Sequence, residues 1–495
     1  MRYFLARSIL LLGLALLTLT GCTSARLDFE TAVDDLHREL PATWAGATDA
    51  APVSTSLLEM VDDERLHDLV SEALAANPDL RAAARRLAAS RSLLRETGAL
   101  SWPIIEAQFN ASRSRQASIL TETGGLAPPG GLTDTGGLTD ADGLLAAFGP
   151  LNAAPFTRHQ AAVSVAWEVD IWRRLARLHD ENVALTQSQA AELAAARDAL
   201  GAQVIQSWLV TVSLRRAIAV EEQRVEILER LQGTIERRYR LGLGGPDDLA
   251  AARATTELSK ASIAALEADL EQALRALELL LGRTPRAELT TSDTLPALSR
   301  TGTGYPAAIL VQRHDVAAAL WRLEAADAAA AAAAKAMLPG LRLTGDLGRD
   351  SSSLSALLSS GSVWSVIGSL TQPIFQRGLL KARTAARRLE LEAAWEDYHA
   401  TVLRAIAEVE DALSRERALL RQRDHLAVAL AESTRNLQVF QERYRRGLAS
   451  IVELLQAADQ EMNARRQVIG VADQALRNRV TLTLALGAGC EEPEA

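Results

Sequence analysis

Three groupings of residues in this sequence could carry chemistry: a glycine run, the histidines and a cysteine near the N-terminus. The run at 242–245 lacks the Lys-Ser/Thr pair of a phosphate loop and the third glycine of a dinucleotide fingerprint. The seven histidines are scattered, with no His-Glu-x-x-His pair for zinc, and no Gly-x-Ser-x-Gly nucleophile motif occurs. We therefore expect no catalytic residue, no metal site, no cofactor and no enzymatic activity. His314 is interpreted as the first residue of a helix.

Cys22 is the residue with the clearest chemical role. Basic residues precede an apolar run over 8–19, which is typical of a secretory signal and too short for a stop-transfer helix. The run ends in Leu19-Thr20-Gly21-Cys22, which resembles a bacterial lipoprotein box, cut before a cysteine that receives the lipid. The alternative is a plain signal peptide with an incidental cysteine. Thr23 stands where an aspartate tends to retain such lipoproteins at the inner membrane, so we expect the outer membrane.

Charge and cysteine content limit the possible partners and the stabilising bonds. The net charge is −9, and removing the two arginines of the signal leaves 51 basic groups (53 − 2) against 62 acidic ones. This acidic balance makes nucleic acid an unlikely partner. The second cysteine is Cys490, so lipidation of Cys22 leaves no disulfide. No later segment has eighteen uninterrupted apolar residues, and we expect no transmembrane helix.

The chain contains an internal duplication. The segment Arg-Tyr-Arg-Leu-Gly-Leu at 238–243 returns as Arg-Tyr-Arg-Arg-Gly-Leu at 443–448, an offset of 205 (443 − 238). A second offset, 236 (315 − 79), relates Asp79-Leu80 to Asp315-Val316. Such a unit is far longer than the repeats of solenoids and propellers. We divide the chain into a signal peptide (1–21), a first structural repeat (22–285), a second repeat (286–489) and a C-terminal tail (490–495).

Helical and alternating patterns follow the same order in both halves. Helix is predicted over 63–97 with a break at Asn77-Pro78, because proline removes a backbone donor and restrains the preceding residue. A glycine-rich surface loop is expected over 121–150. Alternation predicts strands at 105–112, 161–169, 341–347 and 363–370. The other helices are predicted over 174–238, 248–281, 316–337, 379–444 and 451–486, with Asp247 or Asp248 capping the second.

Helix lengths predict how the helices pack. The helix over 174–238 would be about 100 Å long, and its neighbours about half that, at the rise per residue of an α-helix. Two short helices stacked end to end would match one long helix. Leu228, Leu231 and Ile235 recur at the spacing of a coiled-coil stripe. We expect a rod with the strands at one end.

The four strands have the length and the alternation of membrane strands. About nine tilted residues cross a bilayer, with lipid on the apolar face and water on the polar face. Four strands cannot close a barrel, and open edges are not tolerated in lipid, so other copies must complete the sheet. Two, three or four copies satisfy this requirement. Aromatic residues at the strand ends fit an interfacial girdle, with ordinary packing as the alternative: Trp102, Trp167, Trp172, Trp364 and Phe375.

At this point the chain resembles the TolC-like outer-membrane efflux proteins, in their lipoprotein (NodT-type) branch. The resemblance covers essentially the whole mature chain. It rests on motifs that occur in this order: 66–79 with Asn-Pro-Asp at its end, Trp-Glu-Val-Asp-Ile-Trp at 167–172, Gln-Arg-His-Asp at 312–315, Leu-Thr-Gln-Pro-Ile-Phe at 370–375, and the two Tyr-Arg-x-Gly-Leu turns.

The resemblance implies a mainly α-helical protein with a membrane β-barrel. A homotrimer would pool four transmembrane strands per protomer into twelve, below which a long coiled-coil tunnel enters the periplasm. A periplasmic adaptor and an inner-membrane pump would dock, and the duct would passively conduct drugs or other small molecules. Its membrane contacts would be outer-membrane lipid and the lipid on Cys22.

The sequence departs from the family pattern at three places. Arg173 stands where the family usually has glycine after the aromatic of the strand-to-helix junction. The family's Arg-Pro-Asp is Arg-His-Asp at 313–315. The turn at 244–246 is Gly-Gly-Pro, whereas its counterpart at 449–451 is Ala-Ser-Ile, which predicts two unequal helical tips.

Two kinds of site are predicted at the turns. The first is our own hypothesis: the long helices converge at the turns, so Glu453, and less directly its counterpart Asp248, would contribute a ring of carboxylates at a pore constriction, favouring cations and helping the closed end to open by self-repulsion. The alternative is a helix N-cap or a first-turn acid that favours the helix dipole. The residues that match the family's adaptor-docking tips, with a structural turn as the alternative, are Tyr239, Arg240, Gly242, Leu243, Tyr444, Arg445, Gly447 and Leu448.

Two other functions stay open on the sequence. One is an outer-membrane duct for type I protein secretion, since the substrate is not written in these residues. The other is a lipid-anchored periplasmic coiled-coil scaffold without a pore, in which the alternating segments would be soluble hairpins.

Overall fold

The computed structural model describes residues 29–41, 43–45, 57, 63–115, 155–291 and 312–490. The predicted signal peptide, Cys22 and the glycine-rich segment 121–150 lie outside the described residues. In chain order the elements are α1 (Phe29–Glu39), α2 (Glu64–Ala76), α3 (Pro78–Ala99), β1 (Ile104–Arg115), β2 (Pro155–Val169), α4 (Arg174–Arg240), α5 (Pro246–Leu280), α6 (His314–Lys335), β3 (Gly340–Ser351), β4 (Ser362–Thr371), α7 (Leu379–Arg445) and α8 (Ile451–Ala485).

The chain forms two compact units, each built from both halves of the sequence. Unit 1 comprises 1–94, 181–327 and 387–495, and unit 2 comprises 95–180 and 328–386. Unit 1 contains most of the helical residues, and unit 2 contains the four strands. The division of the sequence into repeats at 285/286 stays a prediction, because the units are defined by contacts and not by sequence similarity.

The long helices have the lengths that the sequence predicts. The helices α4 and α7 each contain 67 residues, and α5 and α8 each contain 35. At the α-helical rise these are about 100 Å and about 50 Å. The start of α6 at His314 confirms that residue as a helix start. Among the described residues, no helix combines the length and the hydropathy needed to cross a membrane.

The core of unit 1 lies where α2, α4 and α5 meet. Its centre is Trp208 of α4, which is fully buried beside apolar side chains of the other two helices. The cluster explains why apolar residues recur at helical spacing on α4, since only one stripe of a long helix can face its neighbours. Its other fully buried members include Leu66, Val70, Ile205, Leu209, Leu277 and Leu281.

Two equivalent junctions close the short helices against each other. At the first, the side-chain amide of Asn77 donates to the carbonyl of Leu280 over 2.9 Å, and its oxygen caps α3 by accepting from the backbone N–H of Asp79 and Leu80. At the second, the Arg313 guanidinium donates to the carbonyl of Ala485 over 3.1 Å. Both donors are related by the offset 236 (313 − 77) and both acceptors by 205 (485 − 280). The two junctions are therefore built alike from different side chains.

A glycine makes the close approach possible at each junction. Gly282 and Gly487 end their helices with φ of 72° and 88°. A Cβ on Gly282 would lie 2.8 Å from the carbonyl oxygen of Ala76, and a Cβ on Gly487 would lie 2.8 Å from Cβ of Gln312. The left-handed backbone and the contact with backbone atoms both require glycine.

The four strands form one antiparallel sheet in the order β1-β2-β3-β4. The register aligns the apolar faces into continuous rows, of which Ala107–Val163–Leu347–Trp364 is one. The neighbouring row on the other face is Glu106–Ser164–Asp346–Ser365. This confirms the alternation predicted from the sequence. The strands contain 10 to 15 residues instead of about nine, because the ladder continues past the alternating segments toward the connecting loops.

We expect Gly282→Ala and Gly487→Ala to lower the thermal unfolding midpoint of the purified protein. A left-handed alanine alone costs about 1–2 kcal/mol, and at position 282 backbone atoms must also move. Gly233 is the matched control, because it lies inside α4 with no atom within 4 Å of a new Cβ. Gly233→Ala should be neutral or stabilising by about 0.5–1 kcal/mol. Equal midpoints for Gly282→Ala and Gly233→Ala would show that the junction is not tightly packed.

Candidate functional site

The two turns predicted as docking tips share one backbone geometry. In the first, the N–H of Leu243 donates to the carbonyl of Arg238 over 2.8 Å, and in the second Leu448 donates to Arg443 over 2.8 Å. The glycine before each leucine has φ of 73° or 75° and closes the inner hydrogen bond of the turn. Both turns are Schellman motifs, in which the glycine takes the left-handed position. The matching sequence of Tyr-Arg-x-Gly-Leu is therefore a matching local structure.

Several apolar side chains at the turns are exposed to solvent. Leu243 is 65% exposed and Leu448 is 72% exposed. Sequence reasoning missed two further members, Leu241 and Val452, whose position next to the turn was the available signal. Isolated exposed leucines are common, but these four exposed apolar side chains all lie at the two turns. We call the set of Leu241, Leu243, Leu448 and Val452 the tip surface.

The two tyrosines of the repeated motif lie in different environments. Tyr239 is 43% exposed, whereas Tyr444 is 8% exposed. Tyr444 packs with residues of both turns, including Ile235, Leu249 and Leu454, and burial raises the pKa of its phenol. The guanidinium of Arg238 lies over its ring, 5.2 Å from the centroid. Tyr444 thus joins the two helical hairpins, and its ring is not presented to a partner in this conformation.

The predicted arginines make only local ion pairs. Arg240 contacts Glu236 of the preceding helical turn over 2.7 Å, and Arg445 contacts Glu442 over 3.0 Å. Both arginines are exposed, and such pairs contribute little to stability. They are therefore available for acidic groups of another molecule.

The two carboxylates of the predicted constriction have different local roles. Glu453 forms a capping box with Ser450, accepting from the serine N–H over 2.7 Å and from the serine hydroxyl over 2.8 Å. These hydrogen bonds, led by the one from the backbone N–H, lower the pKa of Glu453. Asp248 occupies the equivalent position in α5, but Gly245 at the N-cap has no side chain to complete a box. Both are therefore first-turn acids, but only Glu453 is held in a capping box.

The prediction that Asp247 or Asp248 caps α5 was wrong. Gly245 is the N-cap and Pro246 is the first helical residue, so both aspartates lie in the first turn. Proline suits that position because its fixed φ is helical and the missing N–H has no partner there anyway. Because of the Gly-Gly-Pro sequence, α5 begins at Pro246, two residues before the boundary predicted at 248.

In unit 2, the predicted girdle residues lie at the ends of strands and differ in exposure. Trp102 and Trp364 are 73% and 72% exposed, and Phe375 is also exposed. Trp167 and Trp172 use their indole N–H groups to anchor connections, donating to the carbonyls of Ser101 and Pro339 over 3.0 and 2.8 Å. Amphipathic rings of this kind favour the boundary between lipid and water.

The junction from β2 to α4 shows how this chain tolerates the lack of a glycine. Arg173 has φ of 58°, in the left-handed region, and Arg377 before α7 has φ of 47°. The carboxylate of Asp170 accepts from the backbone N–H of Arg174 over 2.6 Å and of Ala176 over 2.8 Å. Asp170, which sequence reasoning did not single out, thereby caps the start of the long helix.

The sheet of unit 2 is exposed, and neither of its edges pairs with another strand of the described residues. Its edge strands are β1 and β4, and their apolar side chains face outward with little cover, as Ile105 and Val366 show. A flat apolar face of this size on a sheet with free edges is avoided by proteins that remain in water.

Comparisons with known proteins agree with this architecture. A profile of the outer membrane efflux protein family matches residues 69–283 and 306–488, which is most of the chain. The solvent efflux pump outer membrane protein SrpC of Pseudomonas putida is 26% identical over 485 residues, covering 96% of this chain and 97% of the relative. The cation efflux system protein CusC of Escherichia coli is 26% identical over 486 residues, with 96% and 97% covered.

Solved structures share the fold over nearly the same span. A membrane protein from Pseudomonas aeruginosa superposes with a TM-score of 0.81 at 26% identity, covering 91% of this chain and 97% of the other. The outer-membrane channel OprN, at 23% identity, has the same TM-score and coverage, which is a likeness of fold. The chain belongs to the outer membrane efflux protein family and is an outer-membrane component of an efflux system.

Proposed function

We propose that this protein is the passive exit duct of a tripartite efflux system and works as a homotrimer. Three four-stranded sheets would close one twelve-stranded barrel, and the helices would continue it as a tunnel in the periplasm. The observation that carries the proposal is the sheet of unit 2, with its continuous apolar face and its two unpaired edges.

The argument for several copies is one of hydrogen bonding. An unpaired backbone group in lipid costs several kcal/mol, so β1 and β4 must find partner strands within the membrane. A single chain supplies four strands, whereas closed barrels need about eight or more. Three copies in a closed ring satisfy every edge, with β4 of one copy pairing with β1 of the next. A water-soluble scaffold would have no use for the exposed apolar rows.

Small molecules are the substrate class that the relatives favour. Curated relatives are named for solvent, toluene and cation efflux and for pyoverdine export. We infer that this chain conducts small molecules and not an unfolded protein. In this proposal the protein is a passive duct and performs no catalysis. Energy for transport would come from an inner-membrane pump. Secretion of a protein in one step is the second candidate, since the same duct architecture would serve it.

The tip surface is where we place adaptor docking. Leu243 and Leu448 project from glycine turns, and Arg240 and Arg445 with Tyr239 lie beside them. A hairpin with apolar grooves and acidic groups would complement this combination. Tyr444, Gly242 and Gly447 act through the turn geometry and not by touching the adaptor. The lipid on Cys22 would add a membrane anchor to the barrel.

The constriction is assigned to the same end of the long helices. We propose Asp248 as the main constriction residue, because its carboxylate is not engaged in a capping box. Glu453 is the second candidate. Three copies would give three carboxylates at each level, and their mutual repulsion would favour cations and oppose closure.

The first prediction concerns the oligomer. The lipidated protein, extracted in detergent from outer membranes, should have a native mass of three chains and resist dissociation, because each copy supplies one third of the barrel. Native mass spectrometry measures this directly. A monomer would leave the sheet edges open in lipid and would remove the barrel, returning the scaffold to consideration.

The second prediction concerns docking. The double variant Leu243→Asp and Leu448→Asp should not restore efflux in a strain that lacks this protein. Docking would bury both new carboxylates in an apolar groove of the adaptor without a partner, which is energetically costly. Leu358→Asp is the control, since Leu358 is a highly exposed leucine in the other compact unit. Both variants must form the wild-type oligomer for the comparison to count. Normal efflux by the double variant would place docking elsewhere.

The third prediction separates a charge ring from a helix cap. Glu453→Gln keeps the capping geometry and removes the charge, whereas Glu453→Ala removes both. Asp248→Asn removes the charge of the carboxylate that has no capping box. We expect Asp248→Asn to reduce cation selectivity in single-channel recordings. We expect Glu453→Ala to lower the thermal unfolding midpoint, because the capping box is lost. Unchanged selectivity in a combined Asp248→Asn and Glu453→Gln variant would remove the ring.

A further inference from the structure

The apolar face of the sheet of unit 2 carries basic but no acidic side chains, whereas the polar face carries both signs. The four acidic residues of the strands all belong to the polar face: Glu106, Glu168, Asp346 and Asp350. Among the strand residues whose side chains the structure describes, three basic ones have the parity of the apolar positions in their strands: Arg113, His159 and Arg349. Acidic side chains are therefore confined to the polar face, which also holds Arg158 and Arg342.

The three basic residues form one diagonal across adjacent strands. His159 lies opposite Ala111 of β1 and Ser351 of β3. Arg113 is two residues beyond the first of these partners, and Arg349 is two residues before the second. Diagonal neighbours in an antiparallel sheet are about 7–8 Å apart, within reach of arginine side chains. The three side chains therefore form one cluster of basic residues, which we call the basic diagonal.

The basic diagonal lies at one end of the apolar face only. It is at the end where the segments 116–154 and 352–361 connect the strands. At the opposite end, where the strands continue into helices, the apolar face carries residues such as Trp167, Leu341 and Leu370 and no charge. Under the proposed function the helices lead to the periplasm, so the loop end meets the outer leaflet of the membrane.

The members of the diagonal lack acidic partners within the described chain. On the polar face Arg158 pairs with Asp350 over 3.0 Å at the same level of the sheet. The salt bridges among described residues include neither Arg113 nor Arg349, and Arg349 donates instead to the carbonyl of Leu358. His159 stacks on Phe109, with ring centroids 6.4 Å apart, and its buried Nδ1 has no hydrogen-bond partner among the described residues.

Lipid chemistry supplies the missing counter-charge. A charge on the lipid face of a barrel strand is tolerated near the interface, where headgroups can pair with it. Arginine binds phosphate through two parallel N–H donors, which makes the pair strong and directional. The outer leaflet of this membrane consists largely of lipopolysaccharide, whose lipid anchor carries phosphates at the boundary of its acyl chains. Phe109 and Trp364 offer adjacent apolar and aromatic surface for those chains.

We propose that Arg113, His159 and Arg349 form a binding site on the outside of the barrel for the phosphate groups of lipopolysaccharide. The inference rests on the proposed function, since it requires the apolar face to meet lipid. It assigns the basic diagonal a role in holding the annular glycolipid, and thereby in sealing the barrel against the outer leaflet.

The test uses the full-length trimer extracted from outer membranes, delipidated and then titrated with purified lipopolysaccharide. We expect the double variant Arg113→Gln and Arg349→Gln to weaken binding by about tenfold or more. This estimate follows from the binding free energy that each basic residue contributes near an anionic membrane surface. The matched control is Arg158→Gln, which removes one arginine at the same level of the polar face and should bind like the wild type. His159→Gln should weaken binding less than the double variant.

Further arms identify the ligand and separate the two proposals. Lipopolysaccharide with its lipid-anchor phosphates removed should bind the wild type as weakly as the double variant. Equally tight binding of phosphatidylglycerol vesicles, or displacement by millimolar inorganic phosphate, would overturn the assignment in favour of a general anion site. A stable trimer that binds lipopolysaccharide equally with and without the two arginines would overturn the inference alone. Failure to find any trimer in the membrane would instead overturn the proposed function.

Discussion

The hydrogen-bonding requirement of a sheet edge in lipid is the constraint on which the rest of the structure depends. The strands β1 and β4 are the edges of the four-stranded sheet. In lipid, a single chain cannot provide hydrogen-bond partners for the backbone N–H and C=O groups along these two edges. The sheet also constrains the helices, because the ends of β2 and β4 determine where α4 and α7 begin. Asp170 and the left-handed Arg173 make one such transition rigid, and they do so where the chain leaves the membrane phase.

Duplication simplifies the helical part and also shows where the halves have diverged. The junctions at Asn77 and Arg313 use the same acceptor position with different donors, which preserves the contact while the side chains change. At the turns the backbone is the same, but Tyr444 is buried between the hairpins while its counterpart Tyr239 is exposed. Equivalent positions in a duplicated chain can therefore serve packing in one half and contact with a partner in the other.

The sequence predicted the elements well and their relations less well. Helix ends agreed within a few residues because proline and glycine punctuate them, and the strand faces followed directly from alternation. The difference between Tyr239 and Tyr444 could not be predicted, because the local sequences are nearly identical and only tertiary packing separates them. The cap of α5 was missed since Gly-Gly-Pro starts a helix without a side-chain acceptor. The basic diagonal required the register, as a slip of one residue would move Arg349 to the other face.

The two offsets of the duplication record an event in the history of the chain. They differ by 31 residues (236 − 205), and the segments between paired strands differ by 29: 39 residues at 116–154 against 10 at 352–361. Nearly all the length gained or lost since duplication therefore falls at one end of the sheet. Selection has tolerated it there because no ladder and no helical pairing is interrupted. In an assembled ring this end would alternate long and short segments, so variation in length is confined to the side of the sheet away from the helices.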